Sequence, residues 1–313
     1  MQHLLDKLNQ AHKAITVNDL GESKLVPQQA AQFIRVATQS TPLLDEARRI
    51  DMNSHTRNID RISMTGRMLR KTGELEEAKE VEGPDFYTNK LVAEEMTGVF
   101  WLTDQALEDN IEQSQLENTI VSLAGERVGV DLVDLFVNGD RDLSDELLST
   151  TDGWLKKAAN RIDADIFDPA DVESLFGNLI GVLDKTYLRN PADWTIWTDW
   201  DTADDYRDIL RGRQTGLGDR AQTSFDGVNF KGFDIAYEPS IPAGTAMLVP
   251  NSNLVWGVYR DVRIEPERRA KLRRTDYVVS LRADCHFEDE NAVVVAEGYT
   301  GEPAEGEPAE GGE

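Results

Sequence analysis

Cysteine is almost missing from this chain: Cys285 stands alone among 313 residues. A single thiol excludes an internal disulfide framework and a cysteine-based metal centre. Long apolar runs are missing too, and no stretch approaches the roughly 20 apolar residues a membrane-spanning helix needs. Lysine is scarce, 11 residues against 22 arginines, and histidine is limited to His3, His12, His55 and His286. Those four are scattered along the sequence. No serine sits in a Gly-x-Ser-x-Gly elbow, and GRQTGLGDR lacks the Lys-Ser/Thr pair of a phosphate-binding loop. No catalytic constellation assembles, so the sequence points away from an enzyme. MQHLLDKLNQAHKAI shows no signal-peptide core and has the spacing of a short amphipathic helix.

Acid is abundant. Asp and Glu number 58 against 33 Lys and Arg, a net charge of -25. An acidic, lysine-poor surface fits a protein working in very high salt, where the Debye length shrinks to about 3 Å at 1 M and self-repulsion is screened. The alternative is an ordinary acidic protein. The charge is uneven: residues 1–73 carry 11 bases and 7 acids, so the excess acid lies beyond them. The last sixteen residues, GYTGEPAEGEPAEGGE, hold a tandem GEPAE repeat with five acids and no base, a composition expected to stay disordered.

Hydrophobic periodicity organises the rest. LVPQQAAQFIRVATQS puts Ala30, Phe33, Ile34 and Ala37 on one helical face, with a turn at Pro42. IDRIS starts a strand, and LVAEEMTGVFWLT returns as another. Between them Thr65–Asn89 has little apolar content, which is uncommon for a loop of that length in a compact domain. Asp104–Val137 predicts a helix of about 50 Å, with Leu107, Ile111, Ile120, Leu123, Val128 and Leu135 near helical spacing. Thr103 or Asp104 is the candidate cap. Asp168-Pro169 is expected to cap a helix over DPADVESLFGNLIGVLDKTYL. DWTIWTDW reads as a strand, and a Thr202…Asp205 pattern is expected to open a helix over TADDYRDILRG.

Gly227–Gly298 is a series of short apolar runs, FDIAY, AMLVP, LVWGVY, YVVSL and AVVVA, separated by turn formers and an Arg-rich turn. Their order resembles the closing segment of tailed-virus major capsid proteins of the Hong Kong ninety-seven fold. There a Gly-Thr-apolar string and an Asn-Leu-x-x-Gly string lead into an Arg-Ala-Asp strand and a final apolar strand. VAEEMTGVFWLTDQALEDNIEQSQLENTIVSLAGERVGVDLVDLFVNGD resembles the family's strand, long spine helix and Asn-Gly-Asp loop. DWTIWTDWDTADDYRDIL is similar to its Trp-containing strand followed by a short helix. The motifs are individually loose; their shared order makes them specific.

The resemblance implies an α+β subunit with an N-terminal arm (1–58) and an extended loop (59–97). It also implies a peripheral domain with the spine helix (98–159 and 252–291), an axial domain (160–251 with about 292–299) and an acidic tail (300–313). Thr65–Asn89 then becomes the arm that lies over a neighbouring subunit. The implied partners are further copies in pentamers and hexamers, with scaffold, portal and cement proteins, packaged DNA contacted without sequence specificity, and no membrane. The implied place is the virion, after assembly in the host cytoplasm. An internal scaffolding region, present in some members, is not expected. An encapsulin-type compartment shares the fold, and a soluble halophilic enzyme or binding module is the remaining alternative.

Candidate site residues fall into two groups. Asn138, Asp140, Asp142, Ser144 and Glu146 alternate somewhat like a calcium loop, but Leu143 stands where that loop needs glycine. Asp199, Asp201, Asp204 and Asp205 form a second acidic cluster. Both are candidate sites for structural divalent cations, with a solvated halophilic surface and helix capping as the alternative. No other cofactor is expected. Intersubunit contacts are expected from Arg67, Arg70, Lys71, Glu74, Glu76 and Glu77, and from Arg268, Arg269, Arg273 and Arg274 of the Arg-rich turn. Arginine pairs carboxylates bidentately, so a neighbour's acids are one target and DNA phosphate the other. Lys71, Lys79 and Lys90 raise the question of isopeptide cross-linking and are read as solvated or salt-bridging.

Overall fold

Short apolar runs bounded by turn formers pair into mixed sheets, and two helices cover one face of the larger sheet. The computed structural model describes residues 41–63, 85–105, 116–163, 165–212 and 228–301, together with Leu69 and Gly83. In chain order the elements begin with α1 (Pro42–Glu46), β1 (Arg48–Asp51), β2 (Thr56–Ser63), β3 (Asp85–Val92) and β4 (Glu94–Thr103). Next come α2 (Leu116–Asn138), α3 (Trp154–Lys157), β5 (Asn160–Ile162), α4 (Val172–Val182), β6 (Trp194–Thr198) and α5 (Trp200–Gly212). The chain closes with β7 (Asn229–Phe230), β8 (Phe233–Tyr237), β9 (Ala246–Pro250), β10 (Leu254–Arg269), β11 (Arg274–Phe287) and β12 (Val294–Ala296). Among the described residues no helix is long and apolar enough to cross a membrane.

The chain divides into two compact units. One contains Glu95–Gly129 and Arg260–Arg282; the other contains Thr41–Glu94, Val130–Tyr259 and the described part of Ala283–Glu313.

The larger unit is built on a six-stranded sheet in the order β5-β12-β9-β6-β8-β7. β6 pairs antiparallel with β9 and parallel with β8, and β12 pairs antiparallel with β9 and parallel with β5. All five residues of β6 are buried. That is why WTIWT shows no alternation: both faces of the sheet are covered. On one face Ile196, Leu248 and Val294 pack with Val172, Leu175, Phe176 and Leu179, which recur along α4 at i, i+3, i+4 and i+7. Tyr206 and Leu210 of α5 complete that layer. Trp197, Met247, Val249 and Val295 alternate to the opposite face and are buried as well.

Both caps differ from expectation by a few residues. α4 starts after Asp171, whose carboxylate accepts the Glu173 N–H at 2.9 Å, rather than at Asp168-Pro169. Asp168 and Pro169 form a turn of their own, in which Asp168 accepts the Ala170 N–H and the Pro169 carbonyl accepts the N–H groups of Thr300 and Gly301. α5 starts at Trp200, and Asp199 accepts the Thr202 N–H at 3.3 Å and its hydroxyl at 2.6 Å. Thr202 is thus the capped residue and not the cap.

The residues that follow β12 are fastened to this unit. Tyr299 N–H donates to the Gly244 carbonyl at 3.1 Å, and its hydroxyl donates to Asp205 Oδ2 at 2.8 Å. Burial, then the Asp205 carboxylate, pushes the Tyr299 hydroxyl pKa well up. Gly244 has φ +70°, and a Cβ there would lie 1.9 Å from the Tyr299 carbonyl oxygen. Only glycine meets both demands.

The spine helix is described over 23 residues, roughly 34 Å at 1.5 Å per residue. Asp104 and Gln105 are helical, and residues 106–115 lie outside the described residues. Leu132, Val133, Leu135, Phe136 and Val137 are buried. Leu123, expected on the apolar face, is 57% exposed, because Gly125 and Gly129 occupy the covered side of that stretch. Phe136 meets the Trp154 ring edge-on at 5.7 Å. Just past the helix, Gly153 N–H donates to the Gly139 carbonyl at 2.8 Å, an approach close enough that a Cβ on either glycine would strike backbone.

The expected N-terminal helical face (Ala30 to Ala37) and the acidic tail beyond Gly301 lie outside the described residues. The polar segment is shorter than the sequence implied: Asp85–Asn89, read as loop, are the first residues of β3. Their polar character reflects a strand that is mostly exposed.

Candidate functional site

β2 and β3 form a two-stranded antiparallel ribbon, in register from Thr56↔Val92 at one end to Ser63↔Asp85 at the other. Its base is apolar and covered: Ile59 and Leu91 are buried with Met52, Ala93 and Val255. A Cβ on Gly257 would stand 2.7 Å from Met52 Sδ and 2.9 Å from Leu91 Cδ1, so glycine lets this cluster close. Further out, Ile62 and Phe86 face each other across the strands and are 66% and 71% exposed. The next register pair is Arg61 and Tyr87, with the guanidinium 5.2 Å from the ring centroid. Arg61 also pairs with Asp289. A two-stranded ribbon is marginal in water, and an exposed apolar pair at its far end offers surface to another molecule. Arg67, Arg70, Lys71, Glu74, Glu76 and Glu77 lie outside the described residues, as does Lys79. Lys90 is exposed on β3, opposite Asn58.

The smaller unit centres on the outer part of the β10–β11 hairpin, with β4 as the edge strand next to β11. Arg260–Arg282 carries eight bases and four acids, a positive stretch in a chain of net charge -25. Most of that charge is matched locally. Arg268 grips Asp104 with both terminal nitrogens, one contact at 2.6 Å, and this holds the Asp104 carboxyl below its ordinary range. Arg282 Nε donates to Glu95 at 3.1 Å while Arg260 approaches the same carboxylate, and Glu95 is likewise held low, chiefly by the Arg282 bond. Asp276, 2% exposed, receives two arginines: Arg269 Nε at 2.7 Å and Arg274 Nε at 2.8 Å. The Arg274 Nε contact is an ion pair without hydrogen-bond alignment; its Nη2 donates at 3.4 Å. Arg274 also lies 5.0 Å from the ring centroid of Trp101, itself 57% exposed.

The structure therefore divides the expected contact arginines. Arg268, Arg269 and Arg274 hold acids of their own chain, which reduces what they can offer a neighbour. Arg273 differs. It sits at the turn with φ +48°, and it and Lys271 are exposed. Among the described residues neither has a carboxylate at ion-pair distance.

The two acidic clusters are not built alike. Lys156 Nζ pairs with Asp140, with Asp142 at 2.9 Å and with Asp152 at 3.0 Å. Its pKa is raised by those three carboxylates, and Asp140 is lowered chiefly by the same lysine. In the other cluster Asp199 is buried under α5 and also accepts the Gly244 N–H at 3.3 Å. Asp205 accepts from Tyr299, and Asp201 is exposed on α5 with Asp204 partly so. The four do not converge. Among the described residues no three His, Cys, Asp or Glu side chains are grouped to hold a metal ion.

One buried polar centre escaped the sequence reading. Asp284, 3% exposed, accepts the Thr151 hydroxyl and the Val92 N–H at 2.7 Å each, and the Cys285 N–H at 2.9 Å. Lys157 stands 3.6 Å away. A charged residue inside the apolar run YVVSLRADCHF was the available signal, because a carboxylate buried there must be satisfied. The thiol of neighbouring Cys285 is fully buried and pushed up to about 12, mainly by desolvation, which makes it inert as a nucleophile.

Among the described residues, the exposed apolar pair at the ribbon end and the exposed bases at the hairpin turn are surfaces that offer contact to another molecule. No family model matches the chain. It is 30% identical over 301 residues to YqbE of Bacillus subtilis (strain 168), named as a prophage capsid protein, covering 91% of this chain and 96% of that one. The chain belongs to the phage capsid protein family. Solved structures agree on the fold. A chain of the satellite phage P4 procapsid superposes with a TM-score of 0.61 at 16% identity, over 86% of this chain and 98% of that one. The capsid of an empty GTA particle gives 0.59 at 14%, over 82% and 89%. A virus-like particle from Pyrococcus furiosus gives 0.53 at 13%, over 86% and 98%. The fold is the Hong Kong ninety-seven-type capsid fold, mixed helix and sheet. In this capsid protein several residues inside the resembling strings hold the fold: Gly244 receives Tyr299, Gly257 admits Met52 and Leu91, and Asp284 ties Val92 and Thr151 to β11. Asn253 belongs with them, donating to the carbonyls of Asp289 and Ala292 and accepting the Asp289 N–H at 2.7 Å.

Proposed function

We propose that copies of this chain assemble through pentamers and hexamers into the icosahedral shell of a tailed virus whose host lives in high salt. The observation that carries this reading is the 30% identity to a prophage capsid protein, spread over 91% of this chain and 96% of that one. A match of that extent leaves little of either chain for a different task. The work is association rather than catalysis.

Features of the subunit support the expected division of labour. The ribbon with its exposed Ile62–Phe86 end suits the extended loop (59–97) reaching a neighbour. The six-stranded sheet suits the axial domain (160–251 with about 292–299) packing around symmetry axes. The spine helix, β4 and the β10–β11 hairpin suit the peripheral domain (98–159 and 252–291), with residues 1–58 as a second latch. Such contacts are heterologous and repeat around a closed shell. The net charge of -25 supports the halophilic host. Scaffold, portal and cement proteins and the packaged DNA are the remaining partners of this reading.

The fold alone is shared with shells of several kinds, a virus-like particle included, and so is compatible with an encapsulin-type cargo compartment. The sequence identity to a prophage capsid protein favours the genome container. Negative-stain microscopy of the expressed chain in molar salt tests the proposal. Uniform closed shells are expected, and a population of monomers or small oligomers would overturn it.

A further inference from the structure

The outer β10–β11 hairpin is the most concentrated positive feature of an acidic chain. Arg268-Arg269-Ala270-Lys271-Leu272-Arg273-Arg274 holds five bases and no acid. Asp104 and Asp276 engage Arg268, Arg269 and Arg274, while Lys271 and Arg273 remain exposed and without a carboxylate at ion-pair distance among the described residues. Leu272 lies between them, 57% exposed. Arg273 also adopts a left-handed conformation, φ +48°, that costs a non-glycine residue about 1 kcal/mol. The tip thus presents two exposed cations on either side of an apolar side chain.

The same chain contains a complementary sequence. Glu302-Pro303-Ala304-Glu305-Gly306-Glu307-Pro308-Ala309-Glu310-Gly311-Gly312-Glu313 has five acids, no base, and a Pro-Ala pair inside each repeat. Acids recur two or three residues apart through the repeat, close enough to serve two neighbouring cations at once, and Pro-Ala supplies small apolar groups where Leu272 is exposed. A surface of net negative charge repels this segment almost everywhere else. Twelve residues reach at most roughly 40 Å, at 3.3–3.6 Å each.

We propose that the hairpin tip is a docking site for the acidic GEPAE segment of a second copy of this chain, a charge-matched clasp between subunits. It rests on the assembly reading above. Packaged DNA is the less suited occupant. Phosphate binding draws on a run of free cations, and here three of the five tip bases already hold carboxylates. A single clasp is weak in high salt; repeated over a shell it adds to avidity without new contact types.

Lys271 provides the test, because a carbodiimide joins an amine to a carboxylate with loss of water and no spacer. Full-length chains, half of them grown on heavy nitrogen, are assembled together, cross-linked and digested. The expected products join Lys271 to Glu302, Glu305, Glu307 or Glu310, with light–heavy pairs present. Links confined to one isotope class, links from Lys271 only to other acids, or no link at all overturn the proposal. In parallel, the full chain with all five tail glutamates changed to Gln should show faster acetylation of Lys271, by about three-fold if the site is occupied two thirds of the time. An unchanged rate, or shielding of Lys271 only when DNA is present, counts against the clasp. Microscopy of the same samples separates the two readings: shells without Lys271–tail links sink the clasp alone, whereas absence of shells sinks the assembly reading.

Discussion

Asp284 Oδ2 accepts the backbone N–H of Val92 at 2.7 Å, so a side chain near the end of β11 holds the last residue of β3. Through its other oxygen the same carboxylate takes Thr151 and the Cys285 N–H. The base of the projecting ribbon is therefore tied to the loop after the spine helix by one buried acid.

Replacing Asp284 by Asn should cost about 3 kcal/mol, because an amide nitrogen then faces donors and Lys157 loses its buried counter-charge. Thr151→Val, which removes one bond, should cost about 1 kcal/mol. Urea unfolding of the dissociated subunit checks both. Equal effects would mean that the carboxylate is not the hub.

Two glycines should respond in opposite directions. Gly244→Ala meets both positive φ and the Tyr299 carbonyl, and should lower stability by about 3 kcal/mol or more. Gly181 lies in α4, and a methyl group added there would meet nothing within 4 Å, so Gly181→Ala should raise stability by up to about 1 kcal/mol. Thermal melting of the two variants distinguishes a conformational from a merely compositional role.

His286 should set part of the acid sensitivity. Burial, with Lys157 nearby, lowers its pKa below the ordinary 6.5 despite Glu290 at 3.6 Å and Asp284. Below 6.5 the unfolded chain takes up the proton more readily than the folded one, so stability falls as pH drops from there toward the folded pKa. The slope is at most about 1.4 kcal/mol per pH unit for one proton. In His286→Gln this component should vanish from a stability-versus-pH curve; an unchanged curve refutes the assignment.

Phe86→Ser alters a side chain that is 71% exposed. Subunit stability should stay within about 0.5 kcal/mol, while shell yield falls. Light scattering of assembly, read beside the melting curve, shows whether the ribbon end serves folding or association. A parallel fall in both would place Phe86 in the subunit core instead.

Salt should govern the particles. Dilution from molar to millimolar salt lengthens the Debye length from about 3 Å toward 30 Å, and a chain of net charge -25 then repels its copies. Particles that keep their scattering intensity after dilution would count against screening as the stabilising factor.

Apolar runs announced the strands well. FDIAY, AMLVP, LVWGVY, YVVSL and AVVVA all became strands or parts of strands, because a buried β-strand needs an uninterrupted apolar run and turn formers at its ends. Caps were less legible. Asp168 and Asp171 are chemically equivalent candidates for the α4 cap; Asp171 takes it, while Asp168 lies in a turn whose Pro169 carbonyl receives Thr300 and Gly301 from distant sequence. The arginine turn was visible as charge, but its partners were not: Asp104 precedes Arg268 by 164 residues, and Asp276 attracts two guanidiniums only because β10 and β11 fold back together. Asp284 showed only as a charge inside an apolar run; its donors Val92 and Thr151 come from distant sequence and could not be read there.

The fastening of Tyr299 has a practical meaning for particle engineering. With its N–H on Gly244, its hydroxyl on Asp205 and the following two residues on Pro169, the chain leaves the subunit from a fixed exit point. A foreign peptide or enzyme spliced after Gly301 would start from the same position on every copy, giving a display lattice whose spacing is set by the shell rather than by the linker.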